Sequence, residues 1–189
     1  SFPAKTVEEF VAYAKANPGK LSVGIPSALS GLGFELFKKS TGIDAVAVSY
    51  KGSVPILTGI VGGEIPASFD APGSYAPFAQ GGKVRGLLFT TEPRLALFPA
   101  VPTPRESGLP DYKVGYTTLL LARSGTPRSV VEKINAALAE VLTLPEVQKT
   151  FRDAALEPVA MTPENARKVA ADENGLYAQA ARAAGITPD

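Results

Sequence analysis

Leu21-Ser22-Val23-Gly24-Ile25-Pro26-Ser27-Ala28-Leu29-Ser30-Gly31 is the stretch on which the fold turns. Its first five residues read as a short strand. Residues 26–31 read as a loop of proline, small residues and hydroxyls that opens into a helix, where Leu32, Leu36 and Phe37 share a face and Thr41-Gly42 marks the stop. Upstream, Thr6-Val7-Glu8-Glu9 is a capping box. The helix it starts carries Val7, Phe10, Val11 and Ala14 on one stripe and ends at Asn17-Pro18-Gly19. Downstream, a strand is expected over residues 45–50, a helix over 53–61 closed by Gly62-Gly63, a strand over 65–69, a short helix over 72–80 and a strand over 84–90. Helices and strands that alternate in this way predict parallel strands with helices on both faces, an α/β architecture.

The pattern changes after residue 99. Four prolines fall between Pro99 and Tyr112, which predicts irregular surface or a crossing between domains. Beyond it, residues 114–122 are expected as a strand. Thr126 is expected to cap a helix with Pro127 at its first position, and Val130, Val131, Ile134, Leu138 and Val141 line that helix. Val147 and Phe151 mark a short helix, residues 156–161 a minor strand, and Thr162-Pro163-Glu164 starts a final helix. The chain thus divides near Tyr112 into a complete αβ unit, residues 1–112, and a mostly helical remainder, residues 113–189. Two strands cannot cover the apolar faces of three helices, so the remainder is expected to dock onto sheet supplied by something else. Its exposed apolar helices also predict a homodimer in this form.

Composition excludes whole classes of chemistry. The 189 residues include neither His nor Cys, so nucleophile systems built on either, Cys/His zinc sites and disulfides are closed. No Gly-x-Ser-x-Gly or Gly-Lys-Ser/Thr pattern enlists what remains. Nineteen basic and eighteen acidic residues leave a net charge of +1 without runs of either sign, and nucleic acid is not an expected partner. No stretch approaches the roughly 20 apolar residues of a membrane span. A binding function without cofactor follows as the default.

Several blocks occur in order along nearly the whole chain. They are Ala12 to Leu21 (AYAKANPGKL), Glu35-Leu36-Phe37, Tyr50-Lys51-Gly52-Ser53, Phe69-Asp70, Val101-Pro102-Thr103 with Glu106-Ser107-Gly108, and Gly125-Thr126-Pro127. Together they resemble the substrate-binding receptors of tripartite tricarboxylate transporters, the TctC-like or Bug proteins. The resemblance implies a type II periplasmic-binding-protein-like fold whose two αβ lobes close on a small carboxylate, with membrane transporter subunits as partners and the periplasm as location. Residues 1–112 would be one lobe entire and residues 113–189 the segment that returns to an incomplete other lobe. Most of that other lobe would precede residue 1, and weak or no ligand binding is expected of these residues alone.

Ligands of open parallel sheets sit beyond the carboxyl ends of strands, where helix N-termini offer unpaired amides and partial positive charge. Pro26, Ser27, Ala28, Ser30 and Gly31 hold the best such place. The plain alternative is that Ser27 or Ser30 merely caps the helix. Asp70 ends an apolar strand and would suit a ligand ammonium or hydroxyl, or else act as an N-cap. Lys51, at the next strand tip, would draw in an anion, and Ser74 with Tyr75 follows Asp70 closely enough to face the same crevice. Two other classes compete: the effector-binding domain of a transcription regulator, and an αβ enzyme using Asp70 with Lys51.

Overall fold

The computed structural model describes residues 2–183 and residue 185. Residues up to Gly115, together with the chain from Ala180, form one compact unit, and Tyr116–Gln179 form a second. The first unit opens with α1, Val7–Ala16. The Thr6 hydroxyl accepts the Glu9 amide at 3.2 Å, as a capping box requires. The return bond differs from the motif, because the Glu9 carboxylate accepts the Lys5 amide at 2.6 Å instead of that of Thr6. Val7, Phe10 and Ala14 are the buried stripe.

Three parallel strands follow: β1 (Ser22–Ile25), β2 (Val46–Ser49) and β3 (Ala67–Ser68), in the order β2-β1-β3. Their register sets Gly24 opposite both Val48 and Ser68. Central β1 is flanked by α2 (Ala28–Thr41) and α3 (Ser53–Gly62), and the pleat shows which helix takes which face. A Cβ on Gly24 would lie 2.7 Å from Ile56 Cγ2 of α3, whereas Ile25 Cγ2 would lie 3.5 Å from a Cβ on Gly31 of α2. Successive strand residues point to opposite faces, so α2 and α3 cover opposite sides of the sheet. Gly24 is therefore required for α3 to approach β1.

The face under α2 holds the aromatic core. Phe34 stands 6.4 Å from Phe37 and 6.0 Å from Phe69, and Phe37 stands 5.6 Å from Tyr112. The Tyr112 hydroxyl donates to the Gly33 carbonyl at 3.0 Å. Both α2 and α3 end on left-handed glycines, Gly42 and Gly63, a conformation that a Cβ would strain.

Several expectations are corrected. The expected loop 26–31 shrinks to Pro26 and Ser27, because Ser27 is the N-cap and α2 already runs from Ala28. β3 pairs over two residues only, since Pro66 has no N–H to donate and the Ile65 amide closes α3 on Gly59. The single helix expected over 72–80 is a 3-10 turn, Pro72–Tyr75, running into α4, Ala76–Gln80. Residues 84–90 form no strand: the Phe89 amide donates to Pro102 and the Val114 amide to Thr90, but Pro99, Pro102 and Pro104 cannot donate in return. The 3-residue-spaced pair Thr103 and Glu106 instead organises that region, with the Glu106 carboxylate accepting the Thr103 amide at 2.8 Å and holding Arg94.

The second unit contains α5 (Arg128–Val141), α6 (Pro145–Asp153) and most of α7 (Pro163–Ala183). Residues 114–122 and 156–161 join no ladder among the described residues. In the first stretch the Thr117 amide and hydroxyl both donate to the Glu173 carboxylate. In the second, the Leu156 amide closes α6 on Phe151, and the Met161 carbonyl accepts the Asn135 amide group. The α5 cap is also displaced by one residue. Extended Pro127 is the N-cap, and the Thr126 hydroxyl donates backwards to Arg123. At the start of α7 the Thr162 hydroxyl accepts the Asn165 amide at 3.2 Å. Helices α5 and α6 bury no residue, and Val130, Ile134 and Val141 are each 44% exposed.

Candidate functional site

Because the three strands are parallel, their carboxyl ends share one edge of the sheet. The chain leaves β1 outward to β2 and then crosses back to β3, so the direction of travel reverses between β1 and β3. Such a reversal is where open parallel sheets place their ligands. The register carries the two exits side by side, since Gly24 faces Ser68 and the Phe69 amide donates to Gly24 at 3.1 Å. Pro26 and Asp70 lie two residues beyond that pair.

On the β1 side stands the N-terminus of α2. The Ser27 hydroxyl accepts the Ser30 amide at 3.2 Å and lies 3.1 Å from the Ser30 hydroxyl. Ser27 is thus a cap, and Pro26, Ala28, Ser30 and Gly31 are the residues immediately around the helix start. The Ala28 and Leu29 amides occupy first-turn positions that have no intrahelical acceptor, with the positive end of the helix dipole behind them. Ser27 and Ala28 are exposed, and Ser30 and Gly31 partly so.

On the β3 side stands Asp70. It does not cap the turn that follows, whose N-cap is Ala71 and lacks a side-chain bond. Its Oδ1 accepts the Ala71 amide at 2.6 Å, and its Oδ2 is covered. Beside it, the Ser68 hydroxyl donates to the Tyr75 hydroxyl at 2.8 Å. Burial pushes the Tyr75 phenol well above its ordinary value, the Ser68 bond works the other way, and the charge of Asp70 and a hydrogen bond to its carboxylate add to the rise. Tyr75 is therefore protonated throughout the neutral range.

Lys51 and Ser74 are both exposed. Lys51 is exposed at the end of β2, on the far side of β1 from β3. Ser74 is exposed on the 3-10 turn, and its neighbour Tyr75 is the residue turned toward β3. An enzyme built on Asp70 with Lys51 gains nothing from this arrangement. Ser68 escaped the sequence reading, although its signal was present: it sits two residues before Asp70, and alternate residues of a strand share a face. In the second unit, an open groove of about 690 Å³ is lined by Asn135, Met161, Lys168 and Asp172 among others. Its lysine is already paired with its aspartate at 2.5 Å.

A parallel αβ unit with neutral donors gathered at its switch point is a fold on which small-molecule sites are commonly built. Residues 1–183 match the model of the tripartite tricarboxylate transporter family receptor, and the chain belongs to that family. A UPF0065 protein from the gbd 5' region of Cupriavidus necator is 32% identical over 172 residues, covering 90% of this chain and 52% of the relative. The chain accordingly spans about half the length of that curated relative. Among solved structures, a Rhodopseudomonas palustris protein, Rpa4515 with adipate, is 29% identical with a TM-score of 0.84 and covers 100% of this chain and 64% of its own. MatC from the same organism, with bound malate, is 28% identical with a TM-score of 0.73, over 95% and 63% of the two chains. The α/β periplasmic-receptor fold expected from the sequence is thereby shown. A homodimer finds no support among the relatives. No helix among the described residues is long and apolar enough to cross a membrane.

Proposed function

We propose that the chain is the ligand-holding part of a non-catalytic extracytoplasmic receptor that binds a small carboxylate and delivers it to the membrane subunits of a tripartite transporter. The observation that carries this reading is the start of α2 at the carboxyl end of β1, where the Ala28 and Leu29 amides and the Ser27 and Ser30 hydroxyls meet at the switch point of the sheet. A carboxylate there accepts charge-assisted hydrogen bonds without needing Lys or Arg. The adipate and malate of the two Rhodopseudomonas structures support the ligand class. In this reading residues 1–112 form the ligand-binding lobe and residues 113–189 belong to the other lobe.

The test removes one donor and nothing else. Ala28 is the first helical residue, where proline is tolerated because its missing N–H has no intrahelical role, and Ser27 is already extended as a residue before proline must be. Ala28→Pro is therefore expected to leave the thermal transition in place and to weaken binding of adipate, succinate or malate by about tenfold in the full-length protein. Unchanged affinity in that variant would remove the α2 start from the site.

A further inference from the structure

Gly33 lies inside α2, where glycine weakens a helix relative to alanine, so its presence there needs a reason. Backbone freedom is not that reason, because Gly33 is not among the glycines of positive φ. Space is. A Cβ at Gly33 would lie 2.7 Å from Val114 Cγ1 and 2.8 Å from Phe69 Cε1, closer than real carbons approach. At Gly31, two residues earlier, it would meet Ile25 at 3.5 Å, an ordinary contact. The Gly33 carbonyl is also engaged, accepting the buried Tyr112 hydroxyl at 3.0 Å. One residue of α2 thus meets the end of β3 through Phe69, and the chain about to leave the unit at Gly115 through Tyr112 and Val114.

We infer that Gly33 and Tyr112 are positioning residues of the carboxylate site, setting where the first turn of α2 stands relative to the ends of β1 and β3. The inference rests on the carboxylate reading above. Both neighbours of Gly33 are anchored, since the Phe69 amide donates to Gly24 at 3.1 Å and the Val114 amide to Thr90 at 3.2 Å. The cap cannot place the helix in the same way, because Ser27 bonds to Ser30 of α2 itself and moves with it. Ala28 lies five residues upstream of Gly33, about 7 Å along a stiff rod. A methyl at residue 33 therefore moves α2 off its neighbours by roughly 1 Å and takes the Ala28 and Leu29 amides with it.

Dissociation constants for adipate, succinate and L-malate test it, measured by calorimetry on the full-length protein well below the thermal transition of each variant. Gly33→Ala is expected to weaken the acids that the wild type binds by about tenfold, although alanine favours a helix. Adding Val114→Ala, which makes room for the methyl, is expected to bring affinity back to within about threefold of wild type. Tyr112→Phe keeps the ring and removes only the hydroxyl; it is expected to weaken binding about threefold, and it carries the test if Gly33→Ala loses its thermal transition. A merely structural role would lower the transition and leave the constants alone, and that result overturns the inference. So does weakening that Val114→Ala does not relieve. Ala28→Pro separates the two claims: affinity lost there but kept in Gly33→Ala and Tyr112→Phe overturns the positioning role alone. Affinity kept in Ala28→Pro, or failure of the wild type to bind any of the three acids, overturns the carboxylate reading and this inference with it.

Discussion

The two units contain helices of similar amphipathic pattern and put them to different use. In the first, α1 and α2 spend their apolar stripes on a closed core, where Phe34 and Val23 are each 1% exposed. In the second, α5 repeats apolar residues at helical spacing and buries none of them. The pattern declares that a face wants cover, and only the sheet decides whether it is covered. The first unit owns three hydrogen-bonded strands. The second has extended chain whose Thr117 amide goes to the Glu173 side chain, and its Leu121 is 82% exposed.

That difference sets a scale of expected mutational cost. Phe34→Ala removes the centre of the aromatic cluster and is expected to cost about 3–5 kcal/mol in chemical denaturation. A loss below about 1 kcal/mol would mean that the first unit is not the packed one. Gly24→Ala drives a methyl to within 2.7 Å of Ile56 and is expected to cost about 1–3 kcal/mol. Thr6→Ala, which deletes the α1 cap, is expected to cost about 1 kcal/mol. Ile134→Ala on α5 is expected to change stability by no more than about 0.5 kcal/mol in this chain. A cost of several kcal/mol there would show that the α5 face is covered after all.

A pH effect sharpens the same comparison inside the first unit. The Arg94 guanidinium, and after it the Thr103 amide, hold the Glu106 carboxyl below its usual range. A carboxyl depressed in the folded state adds stability above its unfolded value, and this is lost as pH falls through the folded value. Denaturation midpoints of the wild type should therefore decline on acidification more than those of Glu106→Gln, and parallel declines would remove Glu106 from the account.

Most local signals in the sequence hold, Thr126 being an exception because Pro127 takes the N-cap of α5. The Thr6 and Thr162 caps, the Gly42 and Gly63 stops and the alternation that demands a parallel sheet were all legible, because each depends on neighbours within one or two turns. The strands expected over 84–90, 114–122 and 156–161 failed for the opposite reason: a strand exists only with a neighbour to pair, and apolar runs do not reveal one. The site divides in the same way. Ser27 at the mouth of β1 could be read from the strand-to-helix transition, whereas the surroundings of Asp70 depend on where the fold takes Ser68 and Tyr75.

The central claim is that first-turn amides of α2 hold a carboxylate. Amide chemical shifts of the full-length protein, followed by nuclear magnetic resonance during titration with adipate or malate, test it most directly. The account predicts that Ala28 and Leu29 move furthest, downfield, and saturate with the binding curve. Saturable binding that leaves both amides unmoved would contradict it.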